Sequence, residues 1–190
     1  MNKNKILIVI LLLLITGISY YVYYKNDNQI VNVISKEIKV ADSDFLFETV
    51  KGKKIYLDVA DKQFHIKGME DKLIFLKVFG WDCKFCKKEI PELVKLKNQL
   101  GDTFEVIAIE AQQHSKEESL EKIEQYGINY YIVSGDEQKE FYTYLQEKYG
   151  WTGIIPLTIV IAKGGQVLAF ELGAKSYSLS ELMQATLLSD

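Results

Sequence analysis

The seven residues from Leu73 to Phe79 constrain this chain most: six of the seven are bulky and apolar, and Gly80-Trp81-Asp82-Cys83-Lys84-Phe85-Cys86 follows at once. Such a run is too short for a typical helix, so it predicts a central strand buried in the interior. Beyond it, Leu93, Val94, Leu96 and Leu100 recur at helical spacing. The two cysteines of the chain therefore fall where a buried strand turns into a helix.

That placement has a chemical consequence. The first turn of a helix carries unpaired backbone N–H groups and the positive end of the macrodipole, which stabilise a thiolate. Thiols in Cys-x-x-Cys settings fall to about 3.5 to 7.5 from an ordinary value of about 8.5. Cys83 is expected to be the exposed nucleophile, and Cys86, one turn deeper, the resolving thiol. Lys84, Lys87 and Lys88 add positive charge nearby, or form a solvated helix face.

Other uses of a cysteine pair fit less well. A zinc site needs four ligands, and His65 and His114 are isolated in sequence from the pair and from each other. A purely structural disulfide over so short a loop would restrict the unfolded chain little. Redox chemistry fits best.

The segment CKFCKKEIP, with its surroundings from Phe45 to the C-terminus, resembles the TlpA/ResA-type membrane-anchored thioredoxin-like thiol:disulfide oxidoreductases. Pro91 matches the proline within the active-site helix, and Glu89 matches a glutamate that in the ResA-like branch lies close to the cysteines. The alternative for Glu89 is a solvated helix residue. Pro156, in Thr152-Gly153-Ile154-Ile155-Pro156, matches a cis proline that faces the cysteine pair. The resemblance thus implies a catalytic pair Cys83 and Cys86 assisted by Glu89, and a client-binding surface of Trp81, Ile155 and Pro156. It implies no cofactor beyond the redox-active disulfide itself, and no metal. Two positions depart from the pattern. Lys84-Phe85 stands between the cysteines where the family usually has proline before the second, and Lys77 stands where relatives carry asparagine or aspartate. A lysine on a core strand must pair, snorkel or lose its proton. Lys77 is expected to point behind Cys86 and pair with Glu89.

The N-terminus bears on location. Lys3 and Lys5 precede Ile6 to Tyr24, an uncharged stretch about as long as the roughly 17 to 25 residues that span a bilayer. Lysines before the span orient the remainder outward, and Tyr20, Tyr21, Tyr23 and Tyr24 suit an outer interface. The expectation is a retained transmembrane signal anchor over residues 1–24 and a catalytic domain on the extracytoplasmic, periplasmic side. A signal peptide cleaved near Gly17-Ile18-Ser19 is the alternative. A net charge of -3 gives no electrostatic case for nucleic acid. All 23 basic residues are lysine, so the planar fork that favours phosphate recognition is missing.

Residues 25–44 are expected to form a tether and residues 45–190 an α/β domain. Within it, Phe45 to Val50 and Lys54 to Val59 predict an N-terminal β-hairpin, and His65 a surface position in the connection to the central strand. Strands follow at Phe104 to Ile109, Tyr130 to Val133, Leu157 to Ala162 and Val167 to Leu172. Helices follow from capping signals at Ser115 with Glu118, at Asp136, and at Ser178 with Glu181. The alternation predicts a largely parallel sheet covered on both faces. The distance from Cys86 to Pro156 leaves room for one inserted strand-helix unit beyond a minimal thioredoxin-like fold.

The expected activity is thiol:disulfide exchange. The resemblance implies a reductant of exported proteins, among them apocytochrome c in cytochrome c biogenesis, fed by a membrane thiol-electron transporter. A disulfide-introducing oxidant and a non-catalytic binding module are the rivals. Peroxidase chemistry lacks a Thr-x-x-Cys motif, and copper delivery would need a third ligand, for which His114 is a poor candidate.

Overall fold

The computed structural model of the chain describes residues 43–60 and 63–187; the expected span at Ile6 to Tyr24 and nearly all of the tether lie outside the described residues. Among the described residues no helix is long and apolar enough to cross a membrane. The fold begins with β1 (Ser43–Glu48), β2 (Lys54–Ala60) and β3 (Gln63–Ile66), then β4 (Leu73–Phe79). Next come α1 (Lys84–Leu100), β5 (Phe104–Glu110), α2 (Lys116–Gln125), β6 (Tyr131–Ser134) and α3 (Lys139–Tyr149). The chain closes with β7 (Leu157–Ile161), β8 (Val167–Leu172) and α4 (Leu179–Leu187).

The expected hairpin is present as antiparallel β1 and β2, and a third strand, β3, extends it into a three-stranded sheet. His65 therefore lies in a strand opposite Asp58, half-buried, rather than in a loop. Strict alternation along β2 sends Ile55, Leu57 and Val59 inward and leaves their neighbours in solvent, as a sheet with one dry face requires.

A second sheet has the order β6-β5-β4-β7-β8. β4, β5 and β6 run parallel, whereas β7 is antiparallel to β4 and β8 antiparallel to β7, so the sheet is mixed rather than largely parallel. Between α1 and β7 the chain forms β5, α2, β6 and α3, and β6 lies at one edge of this sheet. Asp136 does not cap α3; Gln138 occupies that position and makes no side-chain cap. Ser115 and Glu118 form the reciprocal capping box expected for α2. Ser178 and Glu181 do the same ahead of α4.

β4 and β5 are buried along their whole length, because the central sheet is covered on both faces. Ile74, Leu76 and Val78 pack with the three-stranded sheet and with Phe141 and Leu145 of α3. Leu73, Phe75 and Phe79 pack with Ile90, Leu93 and Leu96 of α1 and with Leu182 of α4. The period of two puts Lys77 on this second face, beneath α1. The antiparallel entry of β7 then brings Leu157 beside Val78 at the end of β4 from which the cysteines depart. That direction reversal is what carries Pro156 to the cysteine pair.

Candidate active site

Cys83 is the N-cap of α1: its backbone is extended, and its sulfur accepts the Cys86 N–H at 3.2 Å. An N-cap ligand satisfies a helix N–H that has no partner within the helix, and sulfur bearing negative charge would satisfy it better still. The first turn holds no acidic residue, and Lys84, Lys87 and Lys88 are exposed around it. Cys83 and Cys86 are joined as a disulfide. Cys83 is half-buried and opens to the surface, while Cys86 is 2% exposed and packs into the face covered by α1. The two sulfurs thus differ in exposure in the sense expected of them, with Cys83 toward the surface and Cys86 in the core.

The Ile155-Pro156 peptide is cis, as the resemblance implied. The carbonyl oxygen of Ile155 lies 4.0 Å from the Cys83 sulfur, with Ile155 half-buried and Pro156 buried. β7 and the helix N-terminus thus meet at one sulfur. Phe85 and Ile154 are exposed large apolar residues beside this meeting point in sequence.

Trp81 does not belong to that surface. It is 1% exposed, packs edge-on against Phe79 and flat against Tyr126, and donates its indole N–H to Ser119 at 3.1 Å. Its ring fills the core beneath the cysteine-bearing turn, so it fixes that turn from within rather than meeting a client.

Behind the pair sits a buried charged cluster. Lys77 is 2% exposed; its ammonium forms an ion pair with Glu89 Oε2 at 2.9 Å and donates to Thr158 Oγ1 at 2.5 Å. Thr158 is the residue opposite Lys77 in the β4–β7 register, which explains their contact. Burial pulls Lys77 down from 10.5 to about 8, with Glu89 acting against the fall and Lys175 adding to it. The expected Lys77–Glu89 pair is therefore present. Lys175, which the sequence did not single out, supplies a second cation 3.2 Å from Glu89 Oε1. It follows Gly173 after β8 and is 86 positions from Glu89, and its only sequence signal was a lysine near the end of the last strand.

On the other side of the Cys83 turn, His114 is not isolated: its ring lies 3.3 Å from Asp82 and 3.3 Å from the buried Glu110. The chain folds these loops together across a separation that spacing arguments do not see. Among the described residues no group of histidine, cysteine and carboxylate side chains could hold a metal ion.

Residues 46–170 match the model of the AhpC/TSA family. Over 181 residues the chain is 28% identical to the thiol-disulfide oxidoreductase ResA of Bacillus thuringiensis, a match covering 93% of this chain and 92% of that protein. Among solved structures it is similar to the thioredoxin domain of a thiol-disulfide oxidoreductase from Bacteroides vulgatus, with a TM-score of 0.57 and 20% identity, covering 76% of this chain and 94% of that one. A DsbF homologue from Corynebacterium diphtheriae gives a TM-score of 0.57 and 21% identity, covering 78% and 85%. At these identities the structural matches establish the thioredoxin-like fold.

Proposed function

The chain belongs to the AhpC/TSA family and is a thiol:disulfide oxidoreductase of thioredoxin-like fold, and from that premise we propose that it works outside the cytoplasm as a reductant of disulfides in exported proteins. The observation that carries the reading is the asymmetry of the pair: a surface-opening Cys83 sulfur at a helix N-terminus beside the cis Ile155-Pro156 carbonyl, with Cys86 buried one turn behind.

In the reduced protein the Cys83 thiolate attacks one sulfur of a client disulfide, forming a mixed disulfide and releasing the other client sulfur as thiolate. The client main chain lies extended against Ile155, which the cis bend turns toward it. Cys86 then gives up its proton and attacks the Cys83 sulfur. The second client thiol leaves, the client has gained two electrons, and the protein is left with the Cys83–Cys86 disulfide. Glu89, three residues after Cys86 on α1, is the group suited to move that proton, and Lys77 behind it favours a thiolate electrostatically. A membrane thiol-electron transporter would return the electrons. Support for the location is the Ile6 to Tyr24 span with its preceding lysines, and support for the reducing direction is the likeness to proteins named ResA. Exported apocytochrome c is one client class that likeness suggests.

The test is a redox titration of the full chain. A potential near that of thioredoxin, about -270 mV, supports the reductant; one near about -120 mV, where strong disulfide donors lie, overturns it in favour of an oxidant. If Lys77→Ala leaves both the potential and the thiol titration unmoved, the role given to Lys77 fails. An alkaline phosphatase fusion after residue 190 checks the topology: activity is expected, and an inactive fusion places the domain inside.

A further inference from the structure

The segment that delivers Cys83 is fastened to the loop after β5. Ala111 N–H donates to the Phe79 carbonyl at 2.8 Å, Trp81 N–H reaches Glu110 Oε1 at 3.4 Å, and Asp82 N–H donates to Gln112 Oε1 at 2.8 Å. Gly80 permits this closeness, since a Cβ there would lie 2.1 Å from the Gln112 amide oxygen. The last fastening joins side chains: Asp82 Oδ2 faces His114 Nε2 at 3.3 Å.

The other ring nitrogen of His114, Nδ1, lies 3.3 Å from Glu110 Oε1. Glu110 is 2% exposed and also accepts the backbone N–H groups of Gln112 and His114, each at 3.1 Å. The imidazole is therefore held on both nitrogens by carboxylates from two different segments. Only the imidazolium has a proton for each; a neutral ring donates to one carboxylate and turns a lone pair toward the other. Glu110 is pinned by backbone donors and stays. Asp82, with its side chain 72% exposed, is the one released.

Asp82 is also the residue directly before Cys83, where an uncompensated carboxylate disfavours a thiolate. We propose that His114 is a positioning residue for Cys83: its imidazolium holds Asp82 against the loop after β5 and offsets the Asp82 charge, so that proton binding at His114 and thiolate formation at Cys83 favour each other. Glu118, in the first turn of α2, is a third carboxylate that interacts with His114. Tyr142 of α3, which faces Glu110, has its hydroxyl pushed well up by burial and so brings no charge at neutral pH.

The inference rests on Cys83 as the attacking sulfur, and the experiment separates the two. The full-length Cys86→Ala protein is reduced and alkylated with iodoacetamide from pH 5 to 9, with and without His114→Gln. His114→Gln is expected to slow alkylation of Cys83 at pH 6 about threefold, a modest effect because Asp82 is exposed. In an added Asp82→Asn background His114→Gln should change nothing. Superimposable profiles with and without His114→Gln where Asp82 is retained overturn the inference and leave the nucleophile intact. A Cys83 that resists alkylation in every protein overturns both. A measurement without substitution at the cluster guards against misfolding: in the unmodified chain, which has two histidines, the His114 ring should titrate at higher pH in the reduced than in the oxidised form, by reciprocity of the coupling. Equal midpoints in the two forms contradict it.

Discussion

The cysteine pair separates two regions built on opposite principles. Behind Cys86 lies a floor of buried charge, in which Lys77, Glu89, Lys175 and Thr158 satisfy one another in the core. In front of Cys83 lies a rim made of backbone and exposed side chains: a helix N-terminus, the cis Ile155-Pro156 carbonyl, and Phe85 at 48% exposed. Charge in the floor is barely screened, so removing one member is expected to tell on stability and, under the proposed mechanism, on the sulfurs as well. The rim is exposed, and substitutions there are expected to alter client docking while leaving the fold almost untouched. A floor defect should therefore appear in a melting curve, and a rim defect in a client assay.

The largest expected effect lies at the rim's one chemical group. Cys83→Ser should abolish reduction of insulin disulfides while unfolding remains cooperative; residual turnover above the buffer rate would mean another group attacks. Next comes the floor. Glu89→Gln leaves Lys77 buried without its ion-pair partner and should cost about 3 kcal/mol in urea unfolding. Lys77→Met should cost clearly less, since Glu89 keeps Lys175 at 3.2 Å. If the two substitutions destabilise equally, the floor does not work as a bridge of one carboxylate between two lysines.

A pH series sharpens the same contrast. Lys77 is lowered in the folded state from 10.5 to about 8, so between those values the unfolded chain binds the extra proton. Its contribution to stability therefore rises with pH across that window, and its full cost is in force below about 8. Buried tyrosines such as Tyr130 act in the opposite sense above about pH 10, because burial raises them. The difference between the unmodified chain and Lys77→Met at pH 7.5 and at pH 9.5 isolates the lysine; it should move in favour of the unmodified chain at the higher pH. The smallest effect belongs to Phe85→Ser, within about 0.5 kcal/mol of the parent in stability, with a raised KM for protein disulfides.

The strand, the helix and the two sulfurs were legible because each rests on local pattern: an apolar run, a helical period, a fixed cysteine spacing. The Lys77–Glu89 pair was legible for a different reason, since a lysine on a core strand obliges a partner and α1 offers a carboxylate on the covering face. Lys175 and His114 were not, because only the folded chain brings them to Glu89 and to Asp82. Trp81 misled, as an aromatic beside a cysteine pair reads alike whether its ring turns toward a client or, as here, toward Phe79 and Tyr126. β3 escaped because four residues with one histidine give too short an alternation, and the direction of β7 depends on how residues 150–156 return the chain, which periodicity does not record.

The most direct test of the division between attacking and resolving sulfur is trapping. Full-length Cys86→Ala, reduced and mixed with a disulfide-bearing protein, should accumulate a mixed disulfide through Cys83, sensitive to dithiothreitol, while Cys83→Ala should accumulate none. Equal trapping by both, or trapping by Cys83→Ala alone, would contradict the assignment.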